Sequence, residues 1–337
     1  MALSRRKMLT LGTGATTLAT VGTPTVARAG TADPDVASPG RPLHARLPDD
    51  RGLARMLPGD FRSRYATVNG VRLHYVIGGR GAPLILLPGW PQSWWAYRKV
   101  MPLLARRYRV VAVDLRGMGS SGRPRDGYDK KTMASDIHQL VHRLGWRSAN
   151  VVGHDIGSMV AFSYAANHPQ ATRKVAMLDT VHPHPGFYDL PLLPPPGAGF
   201  SLWWCAFNQT GMLPEQLLAG RSRHLVDWLL LHSLADQSLV SPFDRAVYAR
   251  IYDQPDAIRA AGGWYQSFHR DIEDLATYGP VTAPLLGVSS EASDGELRRV
   301  LPDVGTDVRV VKLDNTIHYL PEEAPERLEE TLRDFFA

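Results

Sequence analysis

Residues 149–159 predict a buried strand that turns abruptly into a helix, and this turn constrains the fold more than any other segment of the chain. An apolar run ends at Val152, the turn reads Gly-His-Asp-Ile-Gly, and an apolar helical stretch follows. A side chain at a strained turn can project outward only if its neighbours do not crowd it, which Gly153 and Gly157 allow. The pattern therefore predicts a strand–turn–helix unit with the carboxylate of Asp155 at its apex.

Asp155 has two interpretations. A carboxylate held at such a turn can attack carbon directly and leave an alkyl ester on the protein. That chemistry would indicate epoxides or carbon–halogen bonds as substrates, whereas a serine at the same place would indicate esters and amides. Alternatively, Asp155 only caps the following helix, because aspartate is a favoured N-cap residue.

Short apolar runs alternate with helical segments along most of the chain. Alternation of this kind is typical of an α/β protein with a mostly parallel central sheet and helices on both faces. Asn69-Gly70 predicts the turn of a hairpin. Residues 183–278 lack a strand signal and are interpreted as an inserted helical cap. Buried strands are predicted at residues 83–87, 108–113, 149–152, 174–178, 283–288 and 308–313, and a closing helix at 325–336.

The beginning of the chain predicts export. A basic run at residues 5–7, a short apolar stretch and an Ala-Arg-Ala site at residues 27–29 are typical of a twin-arginine signal peptide. The expected location is therefore the periplasm or the outside of the cell. The predicted segments are a signal peptide at 1–29, a linker without apolar periodicity at 30–60, a core domain at 61–182 and 279–337, and the cap at 183–278.

Charge and cysteine content exclude several classes of protein. The formal net charge is +5, and the predicted signal contains Arg5, Arg6, Lys7 and Arg28 and no acid, so the rest of the chain has a net charge of +1. No basic stripe remains to indicate a nucleic acid partner. The single cysteine, Cys205, excludes an internal disulfide framework. After the signal, no apolar run approaches the roughly 20 residues that span a bilayer.

An ester on Asp155 would need a base to hydrolyse it, and that base would need an acid to orient it. His318 lies between the last predicted strand and the closing helix, where ligands of such sheets bind. Asp179 follows the strand at 174–178 and is favoured as the acid. Glu291 and Asp294 follow the next strand and remain alternatives, and Asp179 could instead serve only as a turn former.

Hydrolysis of the ester would also need two backbone N–H donors facing Asp155. One is expected from Ile156, directly after the proposed nucleophile. The other is expected from Trp90, in the loop after the strand at 83–87, where Gly89 allows a tight backbone path. The alternative for this loop is an ordinary proline turn, because Trp90 lies between two prolines.

Four ordered motifs resemble the α/β-hydrolase superfamily in its epoxide hydrolase and haloalkane dehalogenase-like branch. The resemblance extends from residue 61 to the end of the chain and is weakest in the cap. It implies the fold described above, with Asp155 as nucleophile, and it makes the glycine-rich run near Gly117 structural. The motifs are Pro-Gly-Trp-Pro-Gln-Ser-Trp at 88–94, Asp-Leu-Arg-Gly-Met-Gly-Ser-Ser at 114–121, the turn at 153–157, and His318.

Within this branch the resemblance favours epoxides. Fluoroacetate dehalogenases have arginines just after the nucleophile, where this chain has Ile156 and Met159. Haloalkane dehalogenases bind halide with a tryptophan directly after the aspartate, and this chain again has Ile156. Epoxide hydrolases use a tyrosine of the cap as an acid, and the segment 262–268 resembles the one that contains it. The resemblance therefore implies that Tyr265 donates a proton, unless Tyr265 is only a buried aromatic residue.

The sequence thus predicts an exported hydrolase that opens small apolar epoxides. A second donor of the cap would fall near Trp203 and Trp204, which offer only indole N–H groups; these two residues and Trp264 are expected to line an apolar pocket. No metal or organic cofactor is expected, because no histidine–carboxylate cluster has ligand spacing. The alternatives are a dehalogenase that uses the same aspartate on a halogenated substrate, and a non-catalytic binding protein with the same fold.

Overall fold

The computed structural model describes residues 47–190 and 202–337. Within them, eight strands form a single sheet in the order β1-β2-β4-β3-β5-β6-β7-β8. Strands β1 and β2 pair antiparallel, β2 also pairs antiparallel with β4, and all other pairs are parallel. The strands are β1 Arg62–Val68, β2 Val71–Gly79, β3 Ala82–Leu87, β4 Tyr108–Val113, β5 Ala149–His154, β6 Thr172–Leu178, β7 Leu285–Ser289 and β8 Val308–Lys312.

Helices cover both faces of this sheet, so the predicted α/β architecture with a mostly parallel sheet is confirmed. The helices of the described residues are α1 Asp50–Met56, α2 Met101–Leu104, α3 Lys130–Arg143, α4 Ile156–Asn167, α5 Trp203–Gln209, α6 Leu213–Leu218, α7 Ser222–Ser233, α8 Pro242–Ile251, α9 Pro255–Gln266, α10 Phe268–Leu275, α11 Asp294–Val304, α12 Leu320–Glu323 and α13 Pro325–Phe336. None of them is long and apolar enough to span a membrane.

Alternation of side chains along the strands divides the core into two layers. Ile85 and Leu87 of β3 pack on the face that α3 and α4 cover, and Leu84 and Leu86 pack on the opposite face with α2 and α13. All four side chains are fully buried. Consecutive residues of a strand point to opposite faces, so a strand that is covered on both sides must be apolar throughout. This requirement explains why the central strands read as continuous apolar runs rather than alternating ones.

The hairpin forms at the predicted place. Val68 pairs with Val71 across the turn, and both turn residues, Asn69 and Gly70, have positive φ angles of 46° and 74°. A two-residue turn with two positive φ angles matches the twist of the flanking strands, and asparagine and glycine tolerate that conformation best.

The predicted linker contains one regular element that the sequence analysis did not assign. Helix α1 lies within residues 30–60, is capped by Asp49, whose side chain accepts the N–H of Gly52 at 2.8 Å, and buries Leu53 completely. The interpretation of this segment as a linker without regular structure is therefore wrong for residues 50–56. The proposed signal peptide at 1–29, the linker up to residue 46 and residues 191–201 of the predicted cap lie outside the described residues.

Between β6 and β7 the described chain is helical, from α5 to α10. Buried polar contacts hold this helical region on the core. Lys130 at the start of α3 donates to Asp271 of α10 at 2.7 Å, and both side chains are fully buried. Trp264 of α9 donates its indole N–H to the carbonyl oxygen of Arg116 at 3.0 Å. Because such groups would be costly to bury unpaired, these contacts fix the position of α9 and α10 over the sheet.

Candidate active site

Asp155 lies at a strained turn between β5 and α4, with φ of 52° and ψ of −121°. A β-carbon at Gly153 would lie 2.0 Å from the carbonyl oxygen of Gly157, and one at Gly157 would lie 2.1 Å from that of Leu87. Only glycine therefore fits on either side of the turn. The side chain of Asp155 makes no capping hydrogen bond to α4, which contradicts the interpretation of this residue as a simple helix cap.

The loop that contains Trp90 places a backbone N–H group against the carboxylate of Asp155. The N–H of Trp90 donates to Oδ1 at 2.9 Å, and the N–H of Ile156, the first residue of α4, acts on the same carboxylate to lower its pKa. Gly89 makes the approach possible, because a β-carbon there would lie 2.3 Å from that of Asp155. Burial raises the pKa of Asp155, while the charge of His318 and the two N–H groups act in the opposite direction and favour the ionised form.

His318 connects Asp155 with Asp179. Its Nδ1 lies 2.6 Å from Oδ2 of Asp179, and its Nε2 lies 3.9 Å from Oδ2 of Asp155. Asp179 is held in turn, because its Oδ1 accepts the N–H of Ser290 at 3.0 Å and the hydroxyl of Ser293 at 2.5 Å. The imidazole is thereby fixed with Nδ1 toward one carboxylate and Nε2 toward the other.

The two alternative acids lie elsewhere. Glu291 pairs with Lys312 at 3.1 Å. Asp294 accepts the hydroxyl of Ser289 at 2.6 Å and pairs with Arg298 at 2.9 Å. Both therefore have partners of their own, and the structure places Asp179 against His318.

The environment of His318 favours its protonated form. Burial alone would lower the pKa of His318, but the hydrogen bond and charge of Asp179, together with the charge of Asp155, outweigh burial and raise it. Glu323 holds the loop in place by accepting the N–H groups of Ile317 and His318 at 3.0–3.1 Å. His154 of β5 also holds this loop, since its Nε2 lies 2.9 Å from the carbonyl oxygen of His318.

A cavity of about 270 Å³ opens above Asp155 and is bounded by the sheet edge and the helical region. Tyr265 of α9 lines it and packs edge-on against Trp90, with ring centroids 5.7 Å apart. Burial and the charge of Asp155 raise the pKa of Tyr265 well above its usual value, so the phenol keeps its proton. Other lining residues include Asp179, Phe187, Trp204, Leu229, Phe268, Glu296, His318 and Tyr319.

Two of the three tryptophans predicted to line the pocket do not reach it. Trp264 of α9 is fully buried against the core, where its indole N–H donates to the carbonyl oxygen of Arg116. Trp203 packs against Trp228 at a centroid distance of 5.2 Å and is not part of the cavity wall. Trp204 does line the cavity. On a helix, consecutive residues point in directions about 100° apart, and on α5 this difference turns Trp203 toward Trp228 and Trp204 toward the cavity.

Sequence reasoning missed several residues of the site. Ser290 and Ser293 anchor Asp179, and Glu323 anchors the loop of His318. Serines after a strand and a glutamate at the end of a short helix give no recognisable pattern. Tyr319 lines the cavity next to His318. Cys205 also lines it, and burial and the charge of Asp155 raise the pKa of its thiol to about 12, so the thiol is neutral.

One group of side chains in the described residues has the composition of a metal site. Potential ligand atoms of Asp50, His74 and Asp114 lie within 4.8 Å of one another. Each is already satisfied inside the protein, however. His74 contacts Asp114 at 2.7 Å and the hydroxyl of Ser63 at 2.9 Å, and Asp50 accepts the indole N–H of Trp94 at 2.9 Å. We interpret this cluster as a hydrogen-bonded network that holds α1 on the core, rather than as a cation site.

The fold and the site together define a class of protein. A mostly parallel eight-stranded sheet in this order, a sharp strand–turn–helix with a partly buried acidic residue, and a late histidine beside it are the features of α/β hydrolases. The family model for the alpha/beta hydrolase fold matches residues 82–205.

Relatives place the chain more narrowly. The chain is 34% identical over 279 residues to the soluble epoxide hydrolase of Corynebacterium sp. strain C12, which covers 81% of this chain and 96% of the relative. The crystal structure of Cfl2 from Burkholderia cenocepacia superposes with a TM-score of 0.76 at 36% identity, over 86% of this chain and 99% of that one. The fluoroacetate dehalogenase of Burkholderia sp. is 33% identical over 164 residues, or 47% of this chain and 53% of the relative. The chain therefore belongs to the α/β-hydrolase family, in its epoxide hydrolase-like branch.

Proposed function

We propose that this enzyme opens epoxides to vicinal diols through an ester on Asp155. The observation that carries the proposal is the convergence of complementary groups on one cavity. A carboxylate, a phenol that keeps its proton, and an imidazole held by a second carboxylate all line it. Such a set can attack an oxirane carbon, protonate the oxygen that leaves it and hydrolyse the product, which are the three tasks of the reaction.

In the first step, Oδ2 of Asp155 forms a bond to an oxirane carbon. The carbon–oxygen bond of the ring breaks, its electron pair stays on the oxygen, and that oxygen takes the proton of Tyr265. The products are a hydroxyalkyl ester and a phenolate. Oδ1 stays against the N–H of Trp90, so the carboxylate is held in one orientation while it reacts.

In the second step, His318 takes a proton from water, and the resulting hydroxide attacks the ester carbon of Asp155. The N–H groups of Trp90 and Ile156 stabilise the oxyanion. When the alkyl–oxygen link to the carboxyl carbon breaks, the leaving diol takes the proton from His318. The carboxylic acid that remains returns a proton to the phenolate of Tyr265, which restores both groups.

A single turnover in water enriched in heavy oxygen tests the ester. With enzyme in excess over styrene oxide, the label should enter the peptide that contains Asp155, and the first diol should be unlabelled. Direct attack of water on the epoxide would give the reverse distribution, and that result would overturn the proposal. The variant His318→Gln should trap the ester as a mass increase equal to one substrate, whereas Asp155→Asn should show neither mass increase nor turnover.

A dehalogenase is the second candidate, because a fluoroacetate dehalogenase is 33% identical to the chain over 164 residues. The same carboxylate could displace halide from carbon. Among the described lining residues of the cavity there is no arginine or lysine that could hold the carboxylate of a haloacid. We therefore rank this activity second. Release of halide from fluoroacetate or 1-chlorobutane, with no diol from styrene oxide, would reverse the ranking, and binding of both without turnover would indicate a non-catalytic protein.

We further propose that the chain is exported by the twin-arginine route to the periplasm or the medium. The support is the sequence pattern at residues 1–29. Replacing Arg5 and Arg6 by lysine should keep the full-length chain inside the cell, while the parent appears outside the cytoplasm in shortened form. Equal distribution of the two proteins would contradict this assignment.

A further inference from the structure

Helix α3 carries a pair of histidines outside the cavity that contains Asp155. His138 and His142 are four residues apart, so they lie on the same side of the helix, one turn from each other. Their Nε2 atoms face each other at 3.0 Å, with ring planes at 89° and centroids 4.5 Å apart. His142 is exposed, His138 is partly exposed, and both line the same surface depression.

The separation of the two nitrogens is that of neighbouring ligands on one metal ion. Metal–imidazole bonds of about 2.0–2.1 Å at a right angle place two nitrogens about 2.9 Å apart, whereas a tetrahedral angle places them about 3.4 Å apart. The observed 3.0 Å is close to the right angle. Square-planar and tetragonal coordination is the preference of Cu²⁺ and Ni²⁺, and tetrahedral coordination that of Zn²⁺.

A third histidine restrains the pair. The ring of His168, which follows α4, stacks on that of His138 with centroids 3.9 Å apart and planes only 2° from parallel. Its own Nε2 is buried without a hydrogen-bond partner. A stacked ring limits rotation of the His138 side chain, which lowers the entropy that is lost when both imidazoles are fixed by a ligand.

We propose that His138 and His142 form a surface chelate for Cu²⁺ or, more weakly, Ni²⁺, with water completing the coordination. His168 acts as a positioning residue for the ring of His138. In the described parts of the chain, the surrounding surface contributes Thr67, Val68, Gln139 and Arg143, and no carboxylate. The site is therefore one of neutral nitrogen ligands, which suits late transition metals and not Mg²⁺ or Ca²⁺.

Titration of the chain, produced without a histidine tag, with CuSO₄ or NiCl₂ in a non-chelating buffer tests the site. We expect one Cu²⁺ to bind and its electron paramagnetic resonance spectrum to show couplings to two imidazole nitrogens. His142→Asn should weaken Cu²⁺ binding at least about tenfold and leave one coupled nitrogen from this pair, since the order of affinity follows ligand type and number. Mg²⁺ should not bind.

Three further variants distinguish loss of the chelate from general effects on the protein. His224→Asn removes an exposed histidine of α7 and should leave Cu²⁺ affinity unchanged. His168→Phe keeps a stacked ring and should bind like the parent, whereas His168→Ala should bind more weakly. Circular dichroism and epoxide turnover in the absence of metal should be the same for all of these proteins. Equal Cu²⁺ affinity and spectra of the parent and His142→Asn would overturn the proposal.

Discussion

Two phenols reach the cavity, Tyr265 from the helical region and Tyr319 from the loop beside His318. Burial and the charge of Asp155 raise the pKa of both. We assign proton donation to Tyr265, so Tyr265→Phe should slow formation of the ester by about 10²-fold, the usual contribution of a general acid. Hydrolysis of an ester already formed should change little. Rapid-quench mass measurement of the ester resolves the two steps, and Tyr319→Phe is the matched control; a larger loss in that control would move the assignment to Tyr319.

The charge of Asp155 affects the proton affinity of His318, and this coupling gives a pH prediction. Burial lowers the pKa of His318, while Asp179 and then Asp155 raise it, with a net rise. In the proposed mechanism, esterification removes the negative charge of Asp155, so the pKa of His318 should fall. The imidazole should then be neutral at the step in which it accepts a proton from water. Asp155→Asn mimics this change and should lower the pKa of His318 in an NMR titration, with that of His74 unchanged. A rise or no change would contradict the coupling.

In the proposed mechanism, the pKa of His318 also determines how turnover falls at acidic pH. Hydrolysis of the ester needs neutral His318, so its rate should fall as the pH decreases through the pKa of the imidazole in the ester form. Formation of the ester needs ionised Asp155. Because the pKa of Asp155 is raised, the rate of this step should begin to fall at a higher pH than it would with a free aspartate.

At this scale, the sequence was most informative where a residue is tied to a strand end. Asp155, Asp179 and His318 each follow a strand of the sheet, and parallel strands bring their carboxyl ends to one edge, so chain order alone predicts that the three residues are close. Trp264 and Trp203 were misplaced because composition does not define the direction of a side chain on a helix. The anchors Ser293 and Glu323 could not be predicted, since their partners are more than 100 residues away or are backbone N–H groups.

Among the elements, α1 is stabilised almost entirely by what it packs against. It has seven residues, and isolated helices of that length do not persist in water. Leu53 is fully buried with the core of the face that contains α13. Leu53→Ala should therefore lower the free energy of unfolding by about 2–4 kcal/mol, measured by urea denaturation. Met56→Ala changes an exposed residue of the same helix and should have almost no effect; equal effects would show that α1 is not docked.

This dependence explains why the sequence analysis overlooked α1. A short helix with one buried leucine has too few apolar residues at helical spacing to be recognised in a segment rich in proline and arginine. The hairpin at Asn69-Gly70 and the closing helix α13 were predicted because their signals are local: a turn type with specific residues, and three helical turns of amphipathic pattern.

For the molecule as a whole, the cavity lies between the sheet edge, which carries the proposed reacting groups, and the helical region, which forms the rest of the wall around the substrate. Its apolar wall is formed by side chains such as Phe187, Leu229 and Phe268, and its described charged residues include the three carboxylates of Asp155, Asp179 and Glu296. Residues 191–201, which connect two residues of the wall, contain no charged side chain. A substrate with a negative charge would therefore meet these carboxylates in a cavity whose described lining contains no arginine or lysine, although Arg299 lies 3.8 Å from Glu296 outside that lining.

Neutral epoxides should accordingly be preferred over anionic ones of the same shape. Glycidamide and glycidate differ by an amide in place of a carboxylate, so they test charge at constant size. Two like charges about 6 Å apart at an effective dielectric constant of about 20 repel by about 2–3 kcal/mol. Solvent and ions screen part of this repulsion, so the kcat/KM for glycidamide should be at least about tenfold higher than that for glycidate. Glu296→Gln should narrow the ratio, because Glu296 lines the cavity without contacting the reacting groups. Equal kcat/KM values for the two compounds would show that the carboxylates of the cavity do not select the substrate.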